Sequence, residues 1–164
     1  KGNILLAAGK FDDAKKAFDT SLQKTEGSSL PDEIKNNAKL QHHFNLTMVA
    51  AGKKDYATAK SEAEEYRKGA EASGNPAQVK QAHELAGVIA LAEKKYDNAI
   101  AELEQANQQN PRNLYRLYEA YQGKGDSAKA KEYLTQVATF NPLPQLPYAF
   151  IRAKAVKMAG NKKA

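Results

Sequence analysis

The chain contains no cysteine. That excludes disulfides and thiolate chemistry, and it leaves the compartment open, because a cysteine-free protein suits an oxidising or a reducing space. No apolar run approaches the roughly eighteen residues needed to cross a bilayer, and the mean hydropathy is −0.71. The chain therefore reads as soluble, whether cytoplasmic or, after removal of a signal, periplasmic or secreted. Strand-like alternation is absent, and every apolar run keeps a helical period. The motifs of common enzyme chemistry are missing too. No G-x-S-x-G, phosphate-binding loop or dinucleotide fingerprint occurs, and no spacing implies a nucleophile with its base. His83-Glu84 opens like a zinc-protease helix, but Gly87 stands where the second histidine belongs. His42 and His43 are adjacent, so they point about 100° apart on a helix and do not share a metal. The expectation is a non-enzymatic protein without metal or cofactor.

Acidic residues are absent from 152–164, where Arg152, Lys154, Lys157, Lys162 and Lys163 supply +5 of the net +6. The rest of the chain is nearly neutral and mixed in sign, as solvated helix faces are. No nucleic-acid partner is expected. Anionic-surface binding by the tail stays a third-ranked reading, whose signature would be steep salt dependence lost on deleting 152–164.

What is present is periodicity. Between His83 and Pro111 two amphipathic helices stand back to back. Ala86, Gly87, Ala90 and Leu91 share one face of the first, and Ala99, Ile100, Leu103 and Ala106 one face of the second. Gly87 costs about 1 kcal/mol of helix propensity against alanine, so it needs a packing reason. The interval of twelve residues from Gly87 to Ala99 recurs from Gly2 to Ala14, Thr47 to Ala59 and Tyr118 to Ala130. Three residues before these alanines lie Phe11, Tyr56, Tyr96 and Ser127; four after them lie Phe18, Ala63, Leu103 and Leu134.

This pattern resembles the tetratricopeptide repeat, a helix-turn-helix unit with the signature W-x2-L-G-x2-Y…A-x3-F…P. Leu114, Leu117, Tyr118 and Tyr121 keep the spacing of its first half. The resemblance implies an all-α fold: an α-solenoid of stacked hairpins, a right-handed superhelix closed by a C-terminal capping helix. The expected repeats are about 1–24, 32–73, 76–110 and 112–141, with the cap over about 147–159, in one domain of a longer chain. The repeat alanines are 45, 40 and 31 residues apart, against a regular 34, so the stack should be irregular.

Turn and cap signals set the helix ends. Gly9 closes a first short helix, and Phe11 to about Lys24 forms its partner. Ser29 is a candidate cap for a long helix over about 32–51. Asn75 and Pro76 suit a cap and a first helical position. Asn110-Pro111 ends the central hairpin, a short helix covers 113–122, and Asp126 caps the next, which stops near Asn141-Pro142. Pro144 and Pro147 favour an extended link, and Pro147 opens a last helix with Tyr148, Ile151, Ala155 and Met158 on one face.

The resemblance also implies a concave groove lined by first helices. Carrying over the family's groove register selects Phe44, Asn45, Met48, Leu85, Val88, Arg112, Tyr115, Arg116 and Glu119. Arg112 and Arg116, one turn apart, are expected to converge on a partner's carboxylate, which makes the expected protein or peptide ligand acidic. Some family members hold the C-terminal carboxylate of heat-shock chaperones in a clamp. Asn3 and Asn45 match its asparagines, but Gln81 and Leu85 occupy the positions of its basic pair. The leading function is a scaffold binding a peptide or protein segment in this groove. The alternative is a structural segment packing on further repeats or another subunit.

Overall fold

The computed structural model describes residues 1–140 and 146–160, with side chains through 140 and from 151. Among these residues there are nine helices and no strand. They are α1 (Gly2–Ala7), α2 (Phe11–Glu26), α3 (Asp32–Gly52), α4 (Tyr56–Ser73), α5 (Pro76–Ala92), α6 (Tyr96–Gln105), α7 (Pro111–Lys124), α8 (Ser127–Thr139) and α9 (Leu146–Gly160). Each packs on the next in sequence, and the first helices α3, α5, α7 and α9 also pack side by side. This is the neighbour-to-neighbour α-solenoid expected of hairpins that each have one apolar stripe to hide. α9 lies against α7 and α8 and buries Ala155 fully, with Ile151 and Met158 beside it. The expected stop at Asn141-Pro142, the link at Pro144, and the side chains of Pro147 and Tyr148 lie outside the described residues.

The repeat alanines are the tightest points. Ala14, Ala59, Ala99 and Ala130 are at most 1% exposed. Gly87 has its packing reason: a Cβ there would come within 2.6 Å of Leu103 Cγ, the residue four beyond Ala99. Gly2 has the same relation to Phe18. The aromatics three before each alanine dock onto the following hairpin. Phe11 lies over Gly52, Tyr96 lies over Gly123, and the Tyr56 hydroxyl donates to the Ala92 carbonyl at 2.8 Å. The same side-chain position thus ties each hairpin to the next in three successive places.

The turns inside the hairpins repeat as closely. Lys10, Asp55, Lys95 and Asp126 N–H groups donate to the carbonyls of Leu5, Ala50, Ala90 and Tyr121, five residues back. The preceding residues Gly9, Lys54, Lys94 and Gly125 have φ between 60° and 91°, and each N–H donates three residues back. This is the Schellman ending, with a left-handed residue after the helix. Glycine suits it, whereas a side chain there costs about 1–2 kcal/mol. Replacing Lys94 by glycine relieves that strain, less the roughly 0.5–1 kcal/mol of added unfolded-state freedom. Lys94→Gly should therefore raise the thermal midpoint by about 1–4 °C. A calorimetric midpoint equal to or below the parent's would show that the turn carries no such strain.

Two boundaries differ from expectation. Pro111 does not end α6, which stops at Gln105; it opens α7, with the Asn110 side chain accepting from Arg112 N–H. Proline is tolerated at a first helical position because its missing N–H would be unpaired there anyway. Ser29 does not cap α3: Pro31 precedes the helix, and no side chain caps it. Asn75 and Asp126 cap α5 and α8 as expected.

Candidate functional site

The first helices α3, α5 and α7 present a strip of partly exposed residues on one register: Asn45 and Met48, Val88 and Leu91, Arg112 and Glu119. Gln41 and Gln122 are exposed on the same register. Gln41 donates to the Asn45 side-chain oxygen at 3.3 Å.

Several residues expected to line the groove lie elsewhere. Leu85 is fully buried, packed with Tyr66 and Ala70 of α4. Tyr115 is 5% exposed and covered by α9. Its hydroxyl donates to Met158 Sδ at 3.4 Å, and Lys154 Nζ sits 4.6 Å from its ring centroid. Phe44 is half-buried and meets Tyr66 edge-on, with centroids 5.6 Å apart. The physical reason is common to all three. Leu85 and Phe44 turn toward Tyr66 of α4 and Tyr115 turns toward α9, where side chains are needed to fill the contact.

Arg116 departs furthest from expectation. Its Nη1 donates to Glu84 Oε1 at 2.6 Å and to Asn113 Oδ1 at 2.8 Å. Asn113 Nδ2 donates to Glu84 Oε2 at 3.3 Å and to the Asn107 carbonyl at 3.1 Å. Asn110 completes the carboxylate's shell at 3.5 Å. The Arg116 and Glu84 side chains are 13% and 8% exposed. The carboxylate that the arginine pair was expected to find in a partner is supplied by α5 of the same chain. A buried charge without such a counterpart would cost several kcal/mol, so the arginine has a structural reason to be there. Glu84 falls on the expected groove register but turns to Arg116 instead, and Asn113 carries no sequence signal, because the two act as partners only once α5 and α7 are side by side.

Glu119 is half-buried, and burial raises its carboxyl above the ordinary range against the opposing pull of Lys154 and Arg116. Two histidines form a repeated device: His43 Nδ1 meets Glu62 at 2.7 Å and His83 Nδ1 meets Glu102 at 2.8 Å, each pair nineteen residues apart across its hairpin. Among the described residues no cluster of His, Asp and Glu could hold a metal ion, and no helix is long and apolar enough to cross a membrane.

His42 differs from its neighbour. Its Nε2 is 3.2 Å from an Asp19 carboxylate oxygen, and its Nδ1 is buried without a hydrogen-bond partner. Burial lowers its pKa from 6.5, opposed by Asp19 and Glu62 and reinforced by His43 and Lys15. A lowered folded value means that the unfolded chain binds more protons below about pH 6.5, so stability falls as pH drops through that window. Thermal melts should show a decline of the midpoint from pH 7.5 to pH 5.5 that is shallower in His42→Gln. Parallel pH profiles for parent and variant would remove His42 as the cause.

A tetratricopeptide repeat family model matches residues 90–147. Comparison with curated proteins finds no match, and neither does comparison with solved structures. The matched segment covers the end of α5, all of α6, α7 and α8, and the start of α9. The same twelve-residue interval, buried alanine and left-handed turn continue through the two hairpins before it. Residues 90–147 are thus similar to tetratricopeptide repeats, and the two hairpins before them repeat the same features.

Proposed function

We propose that the strip along α3, α5 and α7 binds a peptide or protein segment. Tetratricopeptide repeats generally mediate protein–protein interaction, and the family is typically a non-enzymatic scaffold. The observation that carries the finer reading is the apolar middle of the strip. Met48 on α3 and Val88 and Leu91 on α5 remain partly exposed above the core clusters against which they pack. A thioether on such a face adapts to varied apolar ligands. Arg112 and Glu119 flank this middle and supply polar contacts of both signs. With Arg116 held by Glu84, the apolar middle rather than an arginine pair is the anchor, and the ligand has an apolar segment rather than a dominant acidic one.

The test is the double substitution Met48→Glu and Val88→Glu. Both side chains are partly exposed, so helicity by circular dichroism should be retained. A partner captured from the native source by the parent domain should bind the double variant at least tenfold more weakly. A partner that binds both equally well would move the site off this strip.

A further inference from the structure

The opposite side of α5 carries a cleft of about 420 Å³, walled by α4 and α6. Its floor is Ala63, Ala82, Ala86, Ile89 and Ala90. The origin of this cleft is visible by comparing the hairpins of this chain. Four residues beyond the repeat alanine the other three hairpins place Phe18, Leu103 and Leu134, which are 8%, 0% and 3% exposed. The second hairpin has Ala63. Where its sisters fill the junction with their own large side chain, this one leaves a small-residue floor.

The rim is polarised. At one end Lys60 and Lys95 both bond Glu93, at 2.6 and 2.9 Å, so two ammonium groups share one carboxylate. Two turns further along the same walls, Arg67 is shared between Glu64 and Glu71, and Glu102 is paired with His83. That end sets three carboxylates against one guanidinium and one imidazole, so it carries surplus negative charge. An apolar floor between a positive and a negative end defines its complement.

We propose that this cleft is a second docking site. It takes a short helical segment of a partner protein that lowers one bulky aliphatic or aromatic side chain onto the alanine floor. An acidic residue of that segment meets Lys60 and Lys95, and a basic one meets Glu64 and Glu102. The partner's side chain replaces the one that the other hairpins supply from within. This site faces away from the strip of α3, α5 and α7 and is independent of the reading above.

The probe is a displayed library of helix-forming fourteen-residue peptides. Glutamate is fixed near one end, lysine near the other, and the central turn is randomised. Selection against the domain should enrich Leu, Ile, Met, Phe or Trp at the centre. The enriched peptides should lose at least tenfold in affinity for Ala63→Leu, which fills the floor as the sister hairpins do. They should lose a similar factor for Lys60→Glu with Lys95→Glu, surface changes that leave the core untouched. They should bind Met48→Glu with Val88→Glu as they bind the parent, which separates this cleft from the strip. Failure to enrich any peptide overturns the proposal, and so do enriched peptides that ignore the Lys60 and Lys95 reversal. If Ala63→Leu melts far below the parent, the lysine reversal alone decides.

Discussion

Replacing Glu84 with alanine should destabilise the domain by about 3–5 kcal/mol, as should replacing Arg116. Either change leaves the other charge buried with no counter-ion in the seam between α5 and α7. The side chains are 8% and 13% exposed, so solvent cannot compensate. The surface pairs behave differently. Lys15–Asp19 and Lys129–Glu132 are about half exposed on both sides, and such pairs are worth about 0–1 kcal/mol. The double change Glu84→Met with Arg116→Met removes both charges and fills similar volume, so it should recover most of the loss. Recovery stays incomplete because Asn113 Oδ1 loses its donor, at roughly 1–3 kcal/mol for an unsatisfied buried acceptor. Urea unfolding of the parent, the two alanine variants and the double methionine variant measures these differences. A single-variant cost under 1 kcal/mol would mean that the pair is solvated in solution.

The second large effect has a sign that depends on background. Leu103→Ala should cost about 2–5 kcal/mol, since Leu103 is fully buried between Gly87 and the apolar face of α7. Gly87→Ala in the parent should also destabilise, because the new methyl collides with Leu103 Cγ. In the Leu103→Ala background that collision is gone. The methyl then enters the vacated space, and alanine brings about 1 kcal/mol of helix propensity. Gly87→Ala should therefore stabilise Leu103→Ala by about 1 kcal/mol while destabilising the parent. Additive free energies in the double-variant cycle would show that glycine and leucine are not in contact.

The sequence made the hairpins legible because their cues are local. Twelve-residue intervals, small residues facing large ones, and caps at Asn75 and Asp126 each involve neighbours on one or two helices. The turns were only half legible. Gly9 and Gly125 announce a left-handed residue, but Lys54 and Lys94 adopt it without the usual signal, and only their equal distance from the repeat alanine places them. The groove was least legible. Moving one position around a helix turns a side chain by about 100°, which separates Val88, partly exposed, from Gly87 under Leu103. The assignments of Leu85 and Tyr115 failed at that scale, and that of Arg116 failed because its partner is 32 residues away. Spacing says which residues share a face, but not which face a neighbouring hairpin covers.

The seams between hairpins span similar stretches of chain. Asp12 reaches Lys53 across 41 residues, Tyr56 reaches Ala92 across 36, Glu84 reaches Arg116 across 32, and Tyr115 reaches Met158 across 43. A growing chain leaving the ribosome therefore never holds a finished hairpin long before its mate emerges. At about 5–20 residues per second the wait is a matter of seconds. Contacts of such short reach keep loop-closure costs low and favour rapid, sequential assembly. Each hairpin becomes the template for the one that follows, so the order of synthesis is also an order in which the solenoid can fold.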